Sequence, residues 1–111
     1  MRATFHLVAA ATWAEADPDF PYAAESLRSE GFIHCTDGVD ALGVTFDRYY
    51  HADPRPFLAL TVDLDAVGVP WRYDVPGSPY PHIYGPIPRR AVLAVDRVER
   101  DGAGRFVGLN R

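Results

Sequence analysis

The sequence predicts an α+β fold, and three observations carry that reading. Helix-forming stretches crowd the first half of the chain and extended stretches the second, which argues against alternating parallel α/β units. The stretch "FLALTV" is apolar almost without a break, as in a strand covered on both faces. No internal repeat, linker or low-complexity segment divides the 111 residues, and that length suits one domain over residues 1–111.

The first segment, "ATFHLV", is short and rich in strand formers. Phe5 and Leu7 fall on one face, His6 and Val8 on the other. "AAATWAEA" then favours a helix, and "DPDFP" stops it because proline lacks the amide donor and restricts its neighbour. "YAAESLRSEG" predicts a second short helix with Ala23, Ala24 and Leu27 on one face and Gly31 as a left-handed terminator. "FIHC" reads as a strand. "TDGVDALGVTFDRYYHADPRP" predicts the longest helix, with Thr36 or Asp37 as N-cap. Val39, Leu42, Phe46 and Tyr49 recur there at helical spacing, so the stripe is expected to face the core. "FLALTVDLDAV" supplies the covered strand and "PWRYD" a short extended piece. "VPGSPYP" holds three prolines and a glycine and is expected to be irregular. "RRAVLAVDRVER" returns to strand character, and "DGAG" turns the chain into "RFVGL". The pattern leaves strand pairing open.

Composition narrows the function classes. Hydrophobic residues make up 48% and charged residues 23%, as in a globular chain. No apolar run reaches the roughly 18 residues of a membrane span. An apolar run starts at Leu7, but Trp13 and Glu15 arrive too early for a signal peptide. One cysteine allows no internal disulfide, which favours a cytoplasmic setting. The net charge of −4 is uneven: residues 1–85 hold five arginines and twelve acids, residues 86–111 six arginines and three acids. An acidic body argues against broad nucleic-acid binding, whose affinity comes largely from phosphate neutralisation. The basic end could meet one small anion, although scattered solvated arginines give the same count.

Three of the four histidines, His6, His34 and His82, interrupt apolar extended segments. A strand histidine either points to solvent or sits buried and neutral with backbone partners. Three together raise the prospect of a site, and for His34 both alternatives stay open. Zinc is a poor fit. Neighbouring strand residues point to opposite faces, so His34 and Cys35 cannot readily share an ion, and no H-x-x-x-H or C-x-x-C pair exists. Cys35 lies in an apolar run, where free cysteine is an inert packing residue. In "PHIYGPIP", prolines stiffen a short extended core. His82 and Tyr84 are two apart and share a face, which suits a pocket wall or equally an edge strand with Tyr84 packed on the core.

"TFHLV", "ESLRSEGFIHCT", "LALTVDLDAVGVPWRYD" and "PHIYGPIPRRAVLAV" together resemble the family catalogued as domain of unknown function 952, small bacterial proteins also found in plants. The resemblance covers roughly residues 3 to 99, and "EGFIHCT" and "HIYGP" are its specific parts. That family is in turn distantly similar to the ADP-ribosyltransferase fold, including RNA 2'-phosphotransferases. The shared pattern is a first-strand histidine, a helix ending in glycine, and a strand with a second histidine and a nearby hydroxyl residue: here His6, "SLRSEG", His34 and Thr36. The resemblance implies a curved, split, mixed or antiparallel sheet, short helices mostly in the N-terminal half, and a nucleotide cleft between its halves. It implies that His6 contacts a ribose of NAD and that Tyr84 stacks on a base. The chain departs from the pattern in its glutamates, because Glu15, Glu25, Glu30 and Glu99 have no obvious claim to the catalytic place.

The functional expectation is therefore a nucleotide-binding domain of ADP-ribosyltransferase type. It would act on NAD or on an ADP-ribosylated or phosphorylated small molecule, cleaving an N-glycosidic bond or removing phosphate. His34 and His82 are the candidate catalytic residues. His6, Thr36, Tyr84, Arg89 and Arg90 are the candidate ligand contacts, the two arginines as an anion clamp. No metal is expected. The alternative is a non-catalytic ligand sensor or interaction module that keeps the cleft. Fold analogy alone does not choose between them.

Overall fold

The computed structural model describes residues 1–111. Strands and helices follow in the order β1 (Ala3–Ala9), α1 (Ala10–Glu15), α2 (Glu25–Ser29), β2 (Ile33–His34), α3 (Val39–Tyr50), β3 (Phe57–Asp63), β4 (Trp71–Arg72), β5 (His82–Ile83), β6 (Val92–Arg100) and β7 (Phe106–Asn110). All three α-helices precede β3, and every strand ladder is antiparallel. The fold is thus α+β, and the sheets contain no parallel pairing.

The strands form two sheets, β1-β3-β6-β7 and β2-β5-β4. A single bridge joins them. Phe5 N–H donates to Thr36 O at 2.9 Å, and Thr36 N–H donates to Phe5 O at 2.8 Å. Beyond that pair β1 and β2 diverge. A second bridge, Tyr22 to Ile87, ties the segment before α2 to the chain after β5.

Strand alternation sorts the core. Val8, Leu60 and Val62 pack with Ile33, Ile83 and Ile87 between the sheets, while Ala9 and Phe57 turn the other way onto Phe46 of α3. β3 is therefore covered on both faces, as its continuous apolar run requires. Gly43 lets α3 approach β7 closely, because a Cβ there would stand 2.8 Å from the Phe106 ring.

Two helix expectations need correction. The N-cap of α3 is Gly38 at φ +83°, with no capping side chain. Thr36 is held in the inter-sheet bridge, and the Asp37 carboxylate accepts from the Tyr73 hydroxyl at 2.5 Å. Neither is free to cap. Leu42 and Phe46 are fully buried as expected, but Val39 and Tyr49 are exposed. Tyr50 packs on Phe57 in place of Tyr49, with ring centroids 4.7 Å apart. Similarly, Ala24 and Leu27 of the α2 region pack on the core while Ala23 is exposed. Gly31 does end that turn, at φ +90°.

Candidate functional site

β2, β5 and β4 are each only two residues long, yet their register aligns three polar side chains. His34 pairs with His82, and His82 pairs with Arg72. Cross-strand partners share a face, so these three stand together while Ile33, Ile83 and Trp71 turn toward the core. Phe32 and Tyr84, each two residues from a histidine, join the polar face. Phe32 stacks on the His82 ring at 3.9 Å with 15° between planes.

Each of the two imidazoles is anchored by a carboxylate. His82 Nδ1–H donates to Asp74 Oδ2 at 2.7 Å. The same carboxylate accepts from the Tyr84 hydroxyl and, at 2.8 Å, from Arg72 Nε. These donors hold the Asp74 carboxyl down to about 2, with the Tyr84 hydrogen bond the largest cause. The Arg72 guanidinium lies over the Tyr84 ring at 3.9 Å. His34 Nε2 lies 3.2 Å from both oxygens of Glu30. Glu30 can reach it because Gly31 reverses the chain between α2 and β2. The two rings are 5.5 Å apart, centroid to centroid. His34 Nδ1 and His82 Nε2 make no protein hydrogen bond.

His6 is a different case. It is 6% exposed. Its Nδ1 lies 2.7 Å from the carbonyl of His34, which can only accept, so Nδ1 carries the proton. Nε2 then accepts from the Tyr22 hydroxyl at 3.0 Å. Burial lowers the ring to about 4 and keeps it neutral. Both nitrogens are occupied within the protein, so the expected ribose contact has no free atom in this arrangement.

A cleft of about 850 Å³ runs between α2, α3, β1, β2 and the 75–80 segment. His6, His34, Thr36 and His82 line it. Tyr84, Arg89 and Arg90 do not. Tyr84 is held away by Asp74 and Arg72. Arg89 donates to the carbonyls of Phe20 at 2.8 Å and Asp17 at 2.9 Å and covers Trp13, which ties down the 17–20 loop. Arg90 is exposed after the β5 segment, in a short 3₁₀ turn. The anion clamp expected of this pair is therefore remote from the histidine cleft. Its cations are instead Arg48 and Arg55. Arg55 is paired with Asp53 at 2.8 Å, whereas Arg48 has no carboxylate partner. Exposed Val44, Tyr49, Val75 and Tyr80 surround the opening.

Cys35 is 2% exposed, and burial raises its thiol, so it stays protonated. His, Cys, Asp and Glu side chains form no group of three suited to hold a metal ion. Glu30, Arg48 and Asp74 carried no sequence signal of their own, and the helical spacing of Tyr49 pointed to the core and not to the cleft. Asp74 meets His82 only because the irregular "VPGSPYP" loop folds back. Glu30 stands four residues before His34, but a helix end and a strand offer no fixed period to read.

Residues 7–95 match the family model described as Protein of unknown function (DUF952). The chain belongs to this family. Among solved structures, the DUF952 chain is similar to the crystal structure of CC0527 from Caulobacter crescentus, with a TM-score of 0.74 and 21% identity over 96% of this chain and 94% of that one. The solution NMR structure of CC0527 gives 0.72 and 19%, over 96% and 92%. At these identities the likeness speaks for the fold. No functionally curated protein matches the chain.

Proposed function

We propose that the cleft binds a small phosphate-bearing nucleotide, with NAD or an ADP-ribosylated or phosphorylated small molecule as the ligand class. The observation that carries this reading is the lining itself: two carboxylate-anchored imidazoles, an Arg48 with no carboxylate partner whose guanidinium lies 5.4 Å over the Tyr49 ring, and exposed Tyr49 and Tyr80 border one cleft of about 850 Å³. That volume lies within the usual range for small-molecule sites. Arg48 supplies a cation for phosphate, the tyrosines supply faces for a base, and His34, His82 and Thr36 supply polar contacts for ribose. The base and anion contacts assigned at first to Tyr84, Arg89 and Arg90 pass to Tyr49, Tyr80 and Arg48. The ADP-ribosyltransferase resemblance supports the same ligand class by fold analogy alone.

The sensor reading has its own support in His6. A ring engaged at both nitrogens serves the wall of a cleft better than it serves turnover. Incubation of the chain with NAD, followed by free nicotinamide and by binding heat, separates the readings. Nicotinamide release supports glycosidic cleavage. Binding heat without release fits the sensor or phosphoester chemistry. Absence of heat with NAD, ADP-ribose and AMP alike refutes the nucleotide cleft.

A further inference from the structure

The two histidine–carboxylate pairs at the cleft differ in a way that suits opposite proton transfers. His82 is held rigidly: Asp74 takes its Nδ1–H, Phe32 stacks on its ring, and its side chain is 18% exposed. This fixes the tautomer with a lone pair on Nε2, the form a base needs. His34 is 54% exposed, Glu30 anchors its Nε2 at 3.2 Å, and its Nδ1 has no protein partner, so that edge of the ring is open to a leaving oxygen. The rings are 5.5 Å apart on neighbouring strands and border the same cleft. Both can therefore reach the oxygens of one phosphoryl centre. Glycosidic cleavage would instead need a free carboxylate beside the sugar, and the cleft's glutamates are engaged: Glu25 with Arg28 at 2.7 Å and Glu30 with His34 at 3.2 Å.

We infer that His34 and His82 form an acid–base pair that hydrolyses a phosphodiester of a nucleotide held in this cleft. The inference rests on the nucleotide reading above and assigns it a reaction. His82 Nε2 takes a proton from water as the water oxygen bonds to phosphorus. The bond from phosphorus to the leaving oxygen breaks, and His34 Nδ1 gives that oxygen its proton. Exchange with solvent then returns both rings to their starting states. Arg48 supports the non-bridging oxygens. Asp74 is a positioning residue acting through His82, and Arg72 and Tyr84 hold Asp74 in turn.

The test measures turnover of bis(p-nitrophenyl) phosphate and of adenosine 2′,3′-cyclic phosphate by the full chain, together with the binding heat of ADP-ribose. The expected result is turnover with a bell-shaped pH profile. His34→Gln and His82→Gln should each lower kcat at saturating substrate about 100-fold or more, beyond any loss of ADP-ribose affinity from their ribose contacts. His34 is exposed, so its variant reports even if His82→Gln folds poorly, which circular dichroism reads. Asp74→Asn should lower kcat and displace the acid limb of the profile, a change that simple loss of packing does not produce. ADP-ribose binding without turnover of either diester overturns the acid–base pair and leaves the nucleotide cleft standing. Turnover unchanged in His34→Gln also overturns it. Absence of both binding and turnover overturns the inference and the nucleotide reading together.

Discussion

His6 sits where a charge cannot be solvated, and its linkage to folding has a definite sign. The folded ring is lowered to about 4 by burial, against an ordinary value of 6.5. Between those values the unfolded chain binds the extra proton, so stability rises with pH. The contribution is complete above pH 6.5, falls away as pH drops toward 4, and changes no further below that. Its ceiling is about 3 kcal/mol, from about 1.4 kcal/mol per pH unit. Urea midpoints between pH 5 and 7 should show this slope, and His6→Gln should flatten it; an equal slope in both chains would assign it to other groups. On the same strand, two residues before His6, Thr4 gives a second prediction. Its Oγ1 is buried without a hydrogen-bond partner. Thr4→Val keeps the branched shape that suits a strand and removes the unpaired hydroxyl. It should raise the urea-derived stability by about 1 kcal/mol. A loss would mean that the hydroxyl has a partner in solution.

The helix α3 and the strand β3 share one interface but present different problems to a sequence reader. Along β3, β1 and β6 pair with both edges and both faces are covered, so Phe57, Ala59, Leu60 and Val62 are all buried and the continuous apolar run is legible. Leu60 is fully buried, and Leu60→Ala should cost about 2–5 kcal/mol. Along α3, the stripe at 39, 42, 46 and 49 reads as one apolar face, but only its middle is covered. The first residue has no neighbour beyond the helix start, and Tyr50 takes the place against Phe57 that Tyr49 was expected to fill. Phe46 packs edge-on to Phe57 at 5.4 Å beneath the Arg100 guanidinium, and Phe46→Ala should cost about 3–5 kcal/mol. Tyr49→Ala should stay within about 0.5 kcal/mol of the parent. Matched urea melts decide this, since a comparable drop for Tyr49→Ala would return Tyr49 to the core.

Across the whole molecule, what the sequence showed well was whatever depends on a period. The α+β order, the covered strand, Gly31 and the shared face of His82 and Tyr84 all follow from spacing along the chain. The cleft depends instead on what the two sheets bring together. Strands β2, β4 and β5 are too short to display alternation, and Asp74 reaches His82 through an irregular loop. Arg89 looked available in the sequence because its partners are backbone carbonyls, which no side-chain pattern reveals. Arg48 reads as an ordinary solvent-face residue of the longest helix and Tyr49 as part of its core stripe, and both join the cleft only in the folded chain, where α3 borders β1. That placement separates ligand binding from folding in one measurement. A ligand that binds only the folded chain raises its stability by RT ln(1 + [L]/Kd), about 2.7 kcal/mol at a hundredfold excess over Kd. ADP-ribose should therefore raise the melting midpoint of the parent. Arg48→Ala removes an exposed cation without a carboxylate partner, so its ligand-free midpoint should match the parent's. Its response to ADP-ribose should be much weaker, while its response to adenosine, which carries no phosphate, should be unchanged. An Arg48→Ala chain that gains as much as the parent from ADP-ribose would remove Arg48 from the phosphate contact.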